Sequence, residues 1–222
     1  MKVCLVTDRR RLAGADAPPA EARRRLASQV HDAVQAGVDL IQVRERDLAA
    51  ADLATLVTDL LAMTRGSATR LVVNDRLDVA LACGAGGVHL RGDSIAPADA
   101  RRLAPAGFLV GRSVHTPNEA KDAAGADYLI AGAVFATASK PETTRWLGLD
   151  GLRAIVRSAG VPVLAIGGVT VDRLAEIAAT GAAGIAAIGM FQPAGDASRG
   201  GSSLEDLVSR VHRRFDSLRA AP

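Results

Sequence analysis

Aromatic residues are scarce in this 222-residue chain, which has one Trp, one Tyr and four Phe. No basic stripe interleaved with aromatics is therefore present, and that argues against a nucleic-acid surface. The net charge of +3 comes from 27 basic and 24 acidic residues, many alternating along helix faces such as EARRRLASQVHDAV. Cysteine is equally rare, and Cys4 and Cys83 fit two buried free thiols in a reducing cytosol. The uncharged stretch Ile177 to Gly195 is long enough to raise the question of a membrane span, but Gly181, Gly184, Gly189 and Pro193 break it. A helix end, a strand and a loop explain it better. The charged start followed at once by VCLVT lacks a secretory pattern, so a soluble, cytoplasmic protein is expected. Lysine occurs only at Lys2, Lys121 and Lys140. In a chain that otherwise uses Arg, Lys140 stands out in its Thr/Ser-rich loop.

What the chain has in plenty is short apolar runs. VCLVT, LIQVR, LVVND, GVHLR, FLVGRSVH, YLIAG, VLAIGG and a weaker GIAAIG each lead into a knot of small or polar residues and then into an amphipathic segment. Continuous apolar runs suit parallel strands buried on both faces. Eight strand–helix units predict a single (β/α)8 TIM barrel over 1–222, an α/β fold whose chemistry lies in the loops after the strands. The spacing predicts helices over Pro19–Ala36, Ala49–Met63 and Leu204–Leu218. Strands are expected at Asp39–Val43, Arg70–Val73, Gly87–Leu90, Phe108–Gly111, Tyr128–Ala131, Val161–Ile166 and Ala183–Ile188. The longest break, Ala136–Leu147, is polar, and a loop of that length in a compact barrel is expected to be functional.

Bringing the strand ends together defines one candidate site. Gln42, Arg44 and Arg46 alternate along strand two and so share a face. Asn74 and Asp75 end strand three, Asp93 and Ser94 follow strand four, and Ser113 and His115 end strand five. The strand-six loop offers Thr137, Ser139 and Lys140, while strands seven and eight end in Gly167-Gly168 and Ile188-Gly189. These residue types handle phosphate. Glycines let backbone N–H groups approach an oxyanion, Thr137 and Ser139 add hydroxyl donors, and Lys140 adds a point charge. Arg44 and Arg46 suit a second phosphate group. Carboxylates at Asp75 and Asp93 beside phosphate are how Mg2+ is usually held.

The segments IQVRER, VVNDRLDVALACGAGGVHL, VGRSVHTPNEA, ADYLIAGAVFATASKP and VPVLAIGGVT resemble, in order, the blocks of the thiamine phosphate synthase/TenI family. Synthases of this family join a hydroxymethylpyrimidine pyrophosphate to a thiazole phosphate and release pyrophosphate. The resemblance implies that Gln42, Arg44, Arg46 and Asn74 hold the pyrophosphate, with Asp75 on Mg2+. It also implies Thr137, Ser139, Gly168, Ile188 and Gly189 around the thiazole phosphate, and Lys140 on the leaving group. Ser113 is a further candidate ligand, and Lys140, Arg44 and His115 are the candidate catalytic groups. Two phosphorylated small molecules are the expected partners, with no nucleic acid or membrane. Barrels of this size often pair as homodimers through their helices.

Two features depart from the synthase pattern. Synthases usually read GVHLGQ-x-D, whereas this chain reads GVHLRGDS, so Ser94 falls at the second metal position and Asp93 one residue early. Arg46 and the His115 of GRSVH lean instead towards TenI-like thiazole tautomerases, in which a histidine moves a proton. A phosphate-ligand-binding protein without activity is the third reading. Plainer roles compete at single positions: Asp75 as a helix cap, Arg44 and Glu45 as a structural ion pair, and His115 as a loop-orienting residue. His89 fits a core position, His31 and His212 fit solvated helix faces, Trp146 fits packing of the strand-six loop, and Asp8 fits an organiser of the barrel mouth.

Overall fold

The computed structural model describes residues 2–137, 145–192 and 204–219. Eight parallel strands form a closed barrel in chain order, with β8 (Gly184–Ala187) pairing with β1 (Lys2–Val6). Between them lie β2 (Leu40–Val43), β3 (Arg70–Asn74), β4 (Gly87–Leu90), β5 (Leu109–Val114), β6 (Tyr128–Gly132) and β7 (Val163–Ile166). Helices follow the strands: α1 (Arg9–Ala13), α2 (Pro19–Gln35), α3 (Ala50–Thr64), α4 (Leu77–Ala82) and α5 (Pro97–Leu103). The remainder are α6 (Pro117–Lys121), α7 (Gly148–Ser158), α8 (Leu174–Ala178) and α9 (Leu204–Arg219). The expected (β/α)8 architecture is therefore what the chain forms. No described helix is long and apolar enough to cross a membrane.

The expected elements are present within a few residues. Strand β5 runs on to Val114 instead of stopping at Gly111, which places Ser113 inside the barrel wall, and β7 begins at Val163, two residues late. Helix α1 was not expected from the sequence. The Asp8 side chain accepts from the Arg11 backbone N–H at 3.0 Å and so caps it, which is the organising role expected at the mouth. Most of the Ala136–Leu147 loop, with Ser139 and Lys140, lies outside the described residues. Trp146 is half-buried.

Pleating divides each strand into two rows. One row, including Leu5, Ile41, Val73, Val88, Leu129 and Ile185, packs into the large core beneath the helices. The other row fills the barrel interior with a smaller cluster that includes Cys4, Leu40, Val72, Tyr128, Leu164 and Ala186. Burial inside that cluster pushes the Cys4 thiol well above its usual range, so it is an inert packing group. Tyr128 fits only because Gly111 stands opposite. A Cβ on Gly111 would lie 2.2 Å from the Tyr128 Cζ and 2.5 Å from the His89 Nδ1. Gly111→Ala is expected to cost about 1–3 kcal/mol through overpacking, read as a lower urea midpoint. An unchanged midpoint would show that the interior layer is loose.

Candidate active site

The same parity that buries Leu40, Val72 and Tyr128 builds the mouth of the barrel. Gln42, Asn74, His89 and Ser113 continue the inward rows of β2 to β5, and Arg44, Arg91 and His115 follow two residues later. Together they line a cavity of about 920 Å3 at the carboxyl ends of the strands. Arg46, Thr137, Gly168, Ile188 and Gly189 line it too.

One end of the cavity is an arginine cluster. The buried Gln42 amide donates to the Asn74 Oδ1 at 3.0 Å, which fixes both side chains beneath Arg44 and Arg46. Burial, and then repulsion from Arg46, lowers the Arg44 pKa, as expected where cations are gathered ahead of an anion. Glu45, between the two arginines in sequence, faces the other way and is buried. The Thr7 hydroxyl donates to it at 2.6 Å and accepts the Arg44 backbone N–H at 2.9 Å. Arg9 reaches Glu45 at 2.9 Å and Asp47 at 2.6 Å. The Arg44–Glu45 ion pair that competed as a plainer role is thus not formed. Glu45 takes Arg9 as its cation, which leaves Arg44 facing the cavity with Asp8 at 4.0 Å.

Asp75 adopts a left-handed backbone with φ of 66°, and it is not a helix cap, because α4 starts after Arg76 without a side-chain cap. Its carboxylate accepts from the Ser94 hydroxyl and meets the Arg91 guanidinium at 3.5 Å. The same guanidinium holds Asp93 at 2.6 Å, and the Asp93 side chain is 70% exposed. Asp75 and Asp93 are therefore bridged by a cation instead of facing one open position, and neither lines the cavity.

The opposite end is built from glycines. Gly168 has φ of 62°, and a Cβ there would lie 2.4 Å from the Ala136 carbonyl oxygen, so only glycine permits this approach of the β7 and β6 loops. Arg173 fastens the same loops, donating to the Gly168 carbonyl at 3.0 Å while stacking 4.2 Å above the Phe135 ring. Arg11, on α1, lines the cavity beside Gly189.

Between the two ends lie the histidines. His115 donates from Nδ1 to the Gly132 carbonyl, and its backbone N–H donates to Glu119 at 2.7 Å, so the ring is oriented by the loop while lining the cavity. His89 is fully buried, bonded through Nε2 to Ser113 at 2.9 Å and through Nδ1 to Tyr128 at 3.2 Å. Burial, reinforced by Arg112, pushes its pKa down to about 3. It is buried, as the core role read from the sequence requires, while its ring also borders the cavity.

Comparison with known proteins meets this geometry. The family model described as thiamine monophosphate synthase matches residues 5–191. The chain belongs to the thiamine monophosphate synthase family. It is 41% identical over 187 residues to the thiamine-phosphate synthase of Methanoregula boonei, covering 83% of this chain and 87% of that one. Similarity to the thiamine-phosphate synthase of Roseiflexus castenholzii reaches 39% over 211 residues, covering 94% and 88%. Among solved structures, thiamine phosphate pyrophosphorylase from Pyrococcus furiosus superposes with a TM-score of 0.76 at 33% identity, covering 98% and 96%.

Within this family's cavity, the sequence reading missed Arg91, Arg11, Arg173 and the Thr7–Glu45–Arg9 knot. Arg91 follows His89 by the alternate-residue spacing that identified Arg44, so the signal was present. Thr7 and Arg9 with Glu45, Arg11 beside Gly189, and Arg173 over Phe135 join residues distant in sequence and carry no local mark.

Two outcomes follow. Glu45→Ala is expected to cost about 2–3 kcal/mol by removing hydrogen bonds to a buried charge, and to weaken binding of anions at Arg44. Unchanged urea stability and anion affinity would refute that role. For His89, unfolding restores a pKa near 6.5, so between pH 6.5 and about 3 the unfolded chain takes up a proton that the folded chain refuses. Stability therefore falls as pH falls through this window. The advantage of the wild type over His89→Gln should shrink across it in urea titrations, whereas a pH-independent difference would contradict the burial argument.

Proposed function

We propose that this chain is a thiamine phosphate synthase, condensing hydroxymethylpyrimidine pyrophosphate with thiazole phosphate to give thiamine phosphate and pyrophosphate. The observation that carries this reading is one cavity with arginines at one end and glycine turns at the other, two environments suited to anions. The names of the relatives point to the same reaction. Gln42, Arg44, Arg46 and Asn74 bind the pyrophosphate, while Thr137, Gly168, Ile188 and Gly189 cradle the thiazole phosphate, with Ser113 between them. Ser139 and Lys140 complete the set in the loop outside the described residues.

Such a reaction breaks the bond between the pyrimidine methylene carbon and the pyrophosphate oxygen. The electron pair leaves with pyrophosphate, so the site's task is to stabilise growing negative charge there. Arg44 and Arg46 do this as fixed cations that need little reorganisation, because Glu45 and Thr7 hold the backbone beneath them. A metal-assisted reaction is consistent with the family, and Mg2+ is our reading of the metal. Asp75, just past Asn74 at the end of β3, is the carboxylate we assign to it, although it would have to exchange its contacts with Ser94 and Arg91 for the ion; Mg2+ is often held by a single carboxylate with substrate oxygens and water. Asp93, turned outward onto Arg91, does not fit as the second. Bound Mg2+ would supply further charge neutralisation at the pyrophosphate.

One observation favours a second reading. His115 lines the cavity with Nδ1 tied to Gly132, which leaves Nε2 for proton transfer in a TenI-like tautomerisation. Purified protein given both phosphorylated precursors decides between the two. The synthase reading expects thiamine phosphate, with at least about a hundredfold loss in kcat/KM in Arg44→Ala, as when a charge-stabilising donor is removed, and far less in His115→Ala. Absence of thiamine phosphate, with His115-dependent aromatisation of the thiazole, would overturn it.

A further inference from the structure

The loop after β4 combines two features. Ser94 occupies the position where the family pattern carries its second metal aspartate, and Arg91 stands between Asp75 and Asp93 with its guanidinium on both. This arrangement is built into the fold. The Arg91 backbone N–H donates to the Ser94 hydroxyl at 2.9 Å, and that hydroxyl donates in turn to Asp75. From β5, the Arg112 guanidinium donates to the Gly92 carbonyl at 2.8 Å and the Ile95 carbonyl at 2.9 Å, clamping the loop from both sides. Bringing Asp93 inward to the metal position would require these bonds to break. The loop therefore offers one carboxylate and one guanidinium where two carboxylates were expected.

The Arg91 guanidinium, shared between Asp75 and Asp93, offsets part of their negative charge and so lowers the repulsion that an incoming anion meets at this loop. Arg91 lines the cavity, and its charge acts on Arg44 along with that of Arg46, so the three cations converge. We propose that Arg91 is a pyrophosphate ligand of this chain, supplying as a fixed guanidinium part of the charge that the expected second metal carboxylate would otherwise recruit as a bound ion. The planar fork suits phosphate oxygens, and its pairing with Asp75 and Asp93 orients it before any ligand arrives. The inference rests on the reading of this end of the cavity as the pyrophosphate subsite.

Calorimetric titration with inorganic pyrophosphate tests it, run in EDTA and in Mg2+ on the wild type, Arg91→Ala, Arg91→Lys and Ser94→Asp. The wild type should bind in EDTA within about tenfold of its affinity in Mg2+, and Arg91→Ala should lose about 10- to 100-fold in EDTA, the worth of one hydrogen-bonded charge. Arg91→Lys should recover part of that loss, and Ser94→Asp should make binding more dependent on Mg2+. Wild-type binding only in Mg2+, or an Arg91→Ala variant that keeps its EDTA affinity while folded by circular dichroism, would overturn the role of Arg91 alone. No binding in either condition would overturn it together with the synthase reading.

Discussion

Closure of eight parallel strands is the constraint on which the other features depend. With β8 hydrogen-bonded to β1, all the strands end at one rim, and the two-residue pleat decides which side chains face the axis there. The rows that begin as Leu40, Val72 and Gly111 end as Gln42, Asn74 and Ser113, and beyond them stand Arg44 and His115. An apolar plug and a polar mouth are thus successive turns of one pattern. A one-residue shift in any strand would exchange its site residues with its core residues.

Holding cations together in such a mouth is unfavourable until an anion arrives, so the protein anchors them from behind. Glu45 and Thr7 fix the Arg44 backbone, Asp75 and Asp93 flank Arg91, and Phe135 with the Gly168 carbonyl holds Arg173. Burial pushes the Glu45 carboxyl upward in pKa, while its bonds from Thr7 and Arg9 act in the opposite sense. The result is a set of positive groups already oriented before substrate binds, which is where electrostatic catalysis gains most.

Much of this was legible in the sequence because it depends on local pattern. Apolar runs of four to six residues marked the strands, and the polar or glycine residues at and after the end of each run marked the mouth, so Gln42, Asn74, Ser113 and Gly168 were found where the cavity is. What escaped depends on contacts between distant residues. Nothing near Glu45 indicates that its partner is Arg9 and not Arg44, and the cap that competed with the metal reading of Asp75 could be set aside only once α4 was seen to start after Arg76. Helix α1 is too short for its periodicity to show, and it becomes evident only through the Asp8 cap. The GVHLRGDS departure was visible as a mismatch, but its meaning needed the Arg112 clamp and the placement of the Arg91 guanidinium.

On the proposed function, this cavity drives cleavage of a carbon–oxygen bond by stabilising charge on departing pyrophosphate. The most direct test uses hydroxymethylpyrimidine pyrophosphate labelled with oxygen-18 at the oxygen joining methylene to phosphorus, turned over with thiazole phosphate and examined by mass spectrometry. Carbon–oxygen cleavage gives thiamine phosphate free of label and pyrophosphate that retains it. Label lost from the pyrophosphate, or no pyrophosphate released by folded protein, would contradict it.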